Sequence, residues 1–290
     1  MPNISNAQSS ILDHKNISLV FVGVLDYSNC KDDGWSKDLR KDQELFELIN
    51  SKSKNIKYKE FLYDELATIK NVKQKISEAL MGQKEDDLFI FYFAGHGDIS
   101  GMQMSDCEIF TNQELKEILK NETNGQNIIL FGDFCFSGFL VDIAKELSSE
   151  GLQISAVSSS TYNSPGTWSY TQTLIDSFSG QSKINISDNE MITFSEMALE
   201  VRNVMSNREN EVSDYFISSN LKGKIISQTT KSSPFSHNKI KYGSWYCLDE
   251  RVVRATNVIN SFVEVEYYDF NKYQYEKVYE GKLLQIPLPE

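Results

Sequence analysis

Only four cysteines are spread over 290 residues, at positions 30, 107, 135 and 247. No two of them lie at the spacing that ligates zinc, which excludes a cysteine-rich metal site. Four over this length also fall short of a disulfide scaffold. Long apolar runs are lacking too: every one is under ten residues, too short to cross a bilayer. The first ten residues carry neither the basic segment nor the apolar segment of a secretory signal. The expected setting is therefore the cytoplasm, with reduced thiols. Basic residues are the scarcer charge, 29 Lys+Arg against 41 Asp+Glu, for a net charge of −12. That balance counts against nucleic acid, whose phosphates need clustered Lys and Arg, and against anionic membrane. It suits a basic substrate or partner. There are no internal repeats and no long low-complexity segment.

What is present reads as an ordinary folded chain, 40% hydrophobic and 12% aromatic. Residues 1–16 form a polar leader expected to fray. Ile17 to Leu25 is a nearly continuous β-branched and aliphatic run, as in a strand covered on both faces. Two runs resemble it, Asp87 to Ala94 and Asn127 to Phe131. Shorter strands are expected at Lys57–Leu62 and Leu152–Val157. Helices are expected over Asp38–Asn50, Ala67–Met81, Thr111–Lys120, Trp168–Phe178 and Ser195–Ser206, with Thr111 and Glu114 spaced as a capping box. This alternation implies an α/β fold, a mostly parallel sheet with helices on both faces. Its functional loops belong at the carboxyl ends of the strands.

Composition shifts near Ser227. The expected division is a leader at 1–16, a main domain at 17–226, a polar linker at 227–239 and a small all-β barrel at 240–290. Short strand-like pieces run over Gly243–Leu248, Arg251–Ala255, Phe262–Tyr268, Tyr275–Tyr279 and Leu283–Ile286, separated by Asn, Asp and Gly turns.

The sharpest chemical signals end the two most apolar strands. One strand runs into Gly95-His96-Gly97, the other into Asp133-Phe134-Cys135-Phe136-Ser137-Gly138. In a parallel sheet both ends open on one edge, so His96 and Cys135 converge although 39 positions separate them. A cysteine nucleophile needs such an imidazole, because the thiolate is the attacking species. The backbone N–H groups of Gly97 and Cys135 are candidates for an oxyanion hole. Taken singly, a cysteine is more often a small buried hydrophobe and a histidine more often structural. The pair is a stronger signal, since each member is bracketed by glycine at the end of a buried strand.

These two motifs resemble the caspase-like cysteine peptidases, and among them the metacaspase and bacterial caspase-homologue branch, whose active strand ends in Asp-x-Cys-x-Ser-Gly. The resemblance extends over roughly residues 15–225. Val22-Gly-Val-Leu-Asp-Tyr27 is similar to the family's first strand and turn. Ile154-Ser-Ala-Val-Ser-Ser and Gly166-Thr-Trp-Ser-Tyr-Thr are similar to its later strand and helix. The resemblance implies peptide-bond hydrolysis through a thioester, with Cys135 as nucleophile and His96 as general base. Asp133 stands where metacaspase-like enzymes keep an acid that selects Arg or Lys before the cut bond. Asp42 either joins it there or lies on a solvated helix face. The implied partner is a protein substrate cut after a basic residue.

The segment after His96 lacks the close-packed acidic and glycine run that binds calcium in many metacaspases. No cofactor is expected to be required; calcium activation stays open as the less favoured alternative. Cys107, in that segment, reads as a packed thiol. Trp168 either lines the cleft or anchors its helix. Lys183 lies in an exposed loop that a basic-specific enzyme would cut in itself. The C-terminal strands resemble a Tudor or SH3-like barrel, a protein-binding module. Trp245, Tyr246, Tyr267 and Tyr268 there form either a barrel core or a cation cage. Two alternatives stay open: a silent scaffold acting through that module, and a caspase-like protease of other specificity.

Overall fold

The computed structural model describes residues 10–30, 40–161, 168–182, 191–208 and 212–228, with five further strands between 245 and 286. In chain order β1 (Ile17–Gly23) leads to α1 (Lys41–Lys52), β2 (Ile56–Tyr63), α2 (Ile69–Leu80) and β3 (Leu88–Ala94). A small antiparallel sheet follows, made of β4 (Gly97–Asp98), β5 (Gly101–Gln103) and β6 (Ile109–Thr111). Next come α3 (Asn112–Glu122), β7 (Asn127–Asp133), α4 (Phe139–Ser149), β8 (Gln153–Ser158) and α5 (Ser169–Ser179). The main unit ends with β9 (Met191–Thr193), α6 (Phe194–Arg208), β10 (Tyr215–Phe216) and β11 (Ile225–Gln228).

Six strands form the main sheet, in the order β10-β8-β7-β3-β1-β2. Every neighbouring pair is parallel except β10 with β8. All seven residues of β1 and of β3 are buried, as their nearly continuous apolar runs require. Alternation then splits each strand between two cores. Val20, Val22, Phe89, Phe91, Ile128 and Leu130 face α2, α3 and α4. Leu19, Phe21, Ile90, Tyr92, Ile129 and Phe131 face α1, α5 and α6. The Thr111–Glu114 capping box forms at the start of α3 as the spacing requires.

Several elements differ from the sequence reading. Helix α4 was not expected, yet Leu140, Ile143, Ala144 and Leu147 are buried at helical spacing. The segment after His96 is an antiparallel hairpin where an open loop was expected. The leader is not frayed throughout: Ile11 and Leu12 are buried, and Ser10 bridges Ile225. Two apolar residues in succession suffice to dock it. Strand β11 pairs with β9 and extends to Gln228.

Beyond it lie β12 (Trp245–Leu248), β13 (Arg251–Ile259), β14 (Phe262–Tyr267), β15 (Gln274–Tyr279) and β16 (Leu284–Ile286). They form one antiparallel sheet in the order β15-β14-β13-β12-β16. A register shift between Ala255 and Asn257 marks an irregularity in β13. Tyr268 lies outside the described residues, as does Lys183.

Candidate active site

Strands β3 and β7 run side by side in strict register, ending with Ala94 opposite Asp133. His96 and Cys135 each stand two residues past that last pair, at the same carboxyl edge. Gly95 N–H then reaches the carbonyl of Asp133 at 3.4 Å. A Cβ placed on Gly97 would lie 2.8 Å from the Cys135 carbonyl oxygen and 2.3 Å from the Phe134 ring. Only a residue without a side chain allows the two turns to approach this closely. His96, Gly97, Asp133 and Cys135 are all half-buried. Cys135 carries a thiol.

The Cys135 turn is fixed from β8. Ser137 is fully buried, and its Oγ accepts the N–H groups of Ser159 and Ser160, both at 3.1 Å, while donating to the Ser160 carbonyl at 3.0 Å. Phe134 N–H donates to Ser159 Oγ at 3.1 Å. Between these anchors Phe136 has φ of 61°, a left-handed conformation that is costly for an aromatic residue. The serine bonds hold it there, and α4 starts directly after the turn.

Tyr27 fixes the His96 turn. It is fully buried, with its ring centroid 4.4 Å from that of His96. Its hydroxyl accepts the His96 N–H at 2.7 Å and donates to the Gln103 carbonyl at 3.0 Å. The same ring thus supports the chain on both sides of the β4–β5 hairpin.

Asp133 lies on the α5 side of the sheet edge. Thr171 Oγ1 donates to Asp133 Oδ2 at 2.5 Å, and the Tyr92 hydroxyl meets Thr171 Oγ1 at 2.6 Å. With the threonine proton directed at the carboxylate, Tyr92 is the donor in the second bond. Burial first, then the negative charges of Asp133 and Asp42, push the Tyr92 hydroxyl well above its ordinary range. Burial and Asp133 do the same to Tyr170. Both phenols stay neutral beside the acid.

Asp42 is not on a solvated helix face; it is fully buried. Arg40 Nη2 meets its Oδ2 at 2.8 Å and Arg40 Nε its Oδ1 at 3.3 Å. Arg40 also binds Asp64 at 2.6 Å and the Gly23 carbonyl at 2.7 Å, and lies over the rings of Phe61 and Tyr63. Burial lowers the affinity of Arg40 for its proton, but Asp42 and Asp64 outweigh it and raise the guanidinium further. The arginine is what permits a carboxylate to be buried here. The structure therefore brings four of the five expected residues together. Asp42 occupies the β1 end of the same edge, with its charge already met by Arg40.

The reading of Cys107 as a packed thiol is corrected. Cys30 and Cys107 form a disulfide, with Cα atoms 5.4 Å apart. Folding brings together positions separated by 77 residues, a proximity that the sequence spacing does not show. Arg40, Tyr27 and Thr171 were likewise not expected as parts of the site. The Tyr27 signal was available, since it ends the turn similar to the caspase-like family. Trp168 is half-buried against the α5-side core, which fits the anchor reading. Among the described residues no group of three or more His, Cys, Asp or Glu is arranged to hold a metal ion. No helix among them is long and apolar enough to cross a membrane.

No protein-family model and no curated protein matches the sequence. Among solved structures, caspase-1 from Spodoptera frugiperda superposes with a TM-score of 0.52 at 10% identity, over 80% of this chain and 98% of its own. A protein from Geobacter sulfurreducens superposes with a TM-score of 0.47 at 13% identity, over 74% of this chain and 99% of its own. The chain has the caspase-like α/β fold.

Proposed function

We propose that the protein is a cysteine endopeptidase that cuts after Arg or Lys. The observation that carries this reading is the in-register end of β3 and β7, with Gly97 packed on the Cys135 turn. Cys135 Sγ attacks the peptide carbonyl carbon while His96 takes the thiol proton. The carbonyl oxygen becomes an oxyanion, held by the N–H groups of Gly97 and Cys135. The C–N bond breaks as His96 returns the proton to the leaving amine, and a thioester remains. Water then attacks the thioester, His96 accepts its proton, and the thiol is regenerated with release of the acid. No cofactor enters these steps, and calcium is not needed for them.

Asp133 is the selector in this reading. Its Oδ2 accepts the Thr171 hydroxyl, and a carboxylate at this edge can meet a guanidinium or ammonium through charge-assisted hydrogen bonds. Asp42 adds negative charge to the same edge, but its oxygens already serve Arg40. The five C-terminal strands act as a Tudor or SH3-like protein-binding module that brings the protein substrate. The compartment is the cytoplasm, where a disulfide such as Cys30–Cys107 is a transient, redox-sensing link.

Fluorogenic peptides bearing Arg, Lys or Asp before the leaving group test the reading, with and without calcium. Hydrolysis after Arg and Lys, abolished in Cys135→Ala, is expected. Turnover only after Asp would remove Asp133 from its role, and no turnover after any residue would favour a scaffold.

A further inference from the structure

The Cys30–Cys107 disulfide joins the two segments that Tyr27 also joins. On one side, Cys30 lies three residues after Tyr27, and its N–H binds the Tyr27 carbonyl at 2.7 Å. On the other, Cys107 ends a turn in which its N–H binds the Met104 carbonyl at 3.0 Å. That turn follows Gln103, whose carbonyl accepts the Tyr27 hydroxyl and whose N–H binds the His96 carbonyl at 3.0 Å. Asp64 fixes the chain before Tyr27 by accepting the N–H groups of Leu25 at 2.8 Å and Asp26 at 3.0 Å. Tyr27 is thus held from behind by a carboxylate and from ahead by a covalent bond. Cys107 is exposed and Cys30 half-buried, so a small thiol can reach the bond.

We propose that Tyr27 is a positioning residue for His96, and that the Cys30–Cys107 disulfide holds Tyr27 in place, so that reducing this bond loosens the imidazole from Cys135. The inference rests on reading His96 as the general base. The reductant is a dithiol. One of its thiolates attacks a sulfur of the bond and forms a mixed disulfide. Its second thiol then displaces that sulfur. Two electrons and two protons pass to Cys30 and Cys107, which become thiols, while the dithiol becomes a disulfide. With the bond cut, the Tyr27 segment keeps its contacts with Asp64 and loses its covalent link to the hairpin. Misplacing a catalytic group by about 1 Å costs on the order of a hundredfold in rate. A loosened hydrogen bond to the His96 amide is therefore enough to matter.

The test follows alkylation of Cys135 by iodoacetamide across pH, read by peptide mass, in the full chain. Four proteins are compared: wild type, Tyr27→Phe, the double variant Cys30→Ser/Cys107→Ser, and all three changes together. Tyr27→Phe is expected to shift the pH profile and slow alkylation at neutral pH by roughly tenfold, within the range that misplacement allows. The double variant is expected to shift it in the same direction, and the triple variant to be no slower than the slower of the two. Wild type treated with dithiol should match the double variant, which itself should not respond to dithiol. Superimposed profiles, or effects that multiply independently in the triple variant, would overturn the proposal. If Tyr27→Phe does not fold, wild type with and without dithiol still decides, because an unchanged profile contradicts the proposal. His96→Ala separates the two levels: if it leaves the wild-type profile unchanged, the peptidase reading fails, whatever Tyr27 does.

Discussion

Arg40 and Asp42, two residues apart, close on each other at 2.8 Å at the start of α1, with the carboxylate fully buried. The pair sits against the end of β1, where a Cβ on Gly23 would fall 1.8 Å from Asp42 Oδ2 and 2.7 Å from Arg40 Nη2. Removing the cation leaves a buried charge without compensation, which costs about 3–5 kcal/mol. Arg40→Ala is expected to lose stability of that order in chemical denaturation. Arg40→Lys should lose less, because it keeps the charge and gives up the fork that binds Asp42 and Asp64 together. Gly23→Ala should destabilise through the same pair, and combining it with Arg40→Ala should cost less than the sum of the two.

Ser137 links the Cys135 turn to β8. Its replacement by alanine leaves the buried N–H groups of Ser159 and Ser160 without this acceptor, at about 1–3 kcal/mol for each group left unsatisfied. The same bonds hold Phe136 in its left-handed conformation. Ser137→Ala is therefore expected to lower the melting temperature and, at temperatures where the protein remains folded, to depress kcat more than KM. A variant with reduced stability but unchanged kcat would show that the serine bonds do not position Cys135.

Gly97 allows the His96 and Cys135 turns to touch. A Cβ there meets the Phe134 ring and the Cys135 carbonyl below van der Waals contact. Gly97→Ala is expected to separate the turns and lower kcat/KM by roughly a hundredfold or more, as misplaced reacting groups do. Steady-state kinetics beside circular dichroism would check that the fold survives.

Acid stability follows from two surface carboxylates. Hydrogen bonds from Gln74, Lys75 and Tyr58 hold Glu78 down from its ordinary 4.5 to about 2. Burial pushes Glu114 up, but Lys73 and Thr111 outweigh it and keep the group below its ordinary range. Both folded-state values lie below the unfolded ones. Their contribution is thus full above about pH 4.5 and is lost as the pH falls toward the folded values, near 2 for Glu78. Thermal melts of wild type and Glu78→Gln should differ at neutral pH and converge in acid.

The main sheet was legible in the sequence because β1, β3 and β7 are buried on both faces and so are nearly continuous apolar runs. The C-terminal strands were legible from turn residues that separate β-rich runs. Cys135 and His96 stood out because each is bracketed by glycines at the end of such a strand. Other parts depend on distant contacts. The Cys30–Cys107 bond follows from where the β4–β5–β6 hairpin folds back, and nothing near either cysteine encodes that distance. Asp42 reads as a solvated or pocket acid because its pairing with Arg40 in the buried site depends on the ends of β1 and β2, which the local sequence does not show. Helix α4 carries Leu140, Ile143, Ala144 and Leu147 at helical spacing, a pattern short enough to be hidden behind the glycine-flanked turn that precedes it.

The central claim is that Cys135 acts as a nucleophile for substrates with a basic residue before the cut bond. Intact-mass spectrometry after incubation with an arginyl peptide bearing an acyloxymethyl ketone tests it most directly. The account predicts one adduct per chain, located at Cys135, absent in Cys135→Ala, slowed in His96→Ala and weakened in Asp133→Asn. An unmodified Cys135, or labelling that is equally fast with an aspartyl peptide and in Asp133→Asn, would contradict it.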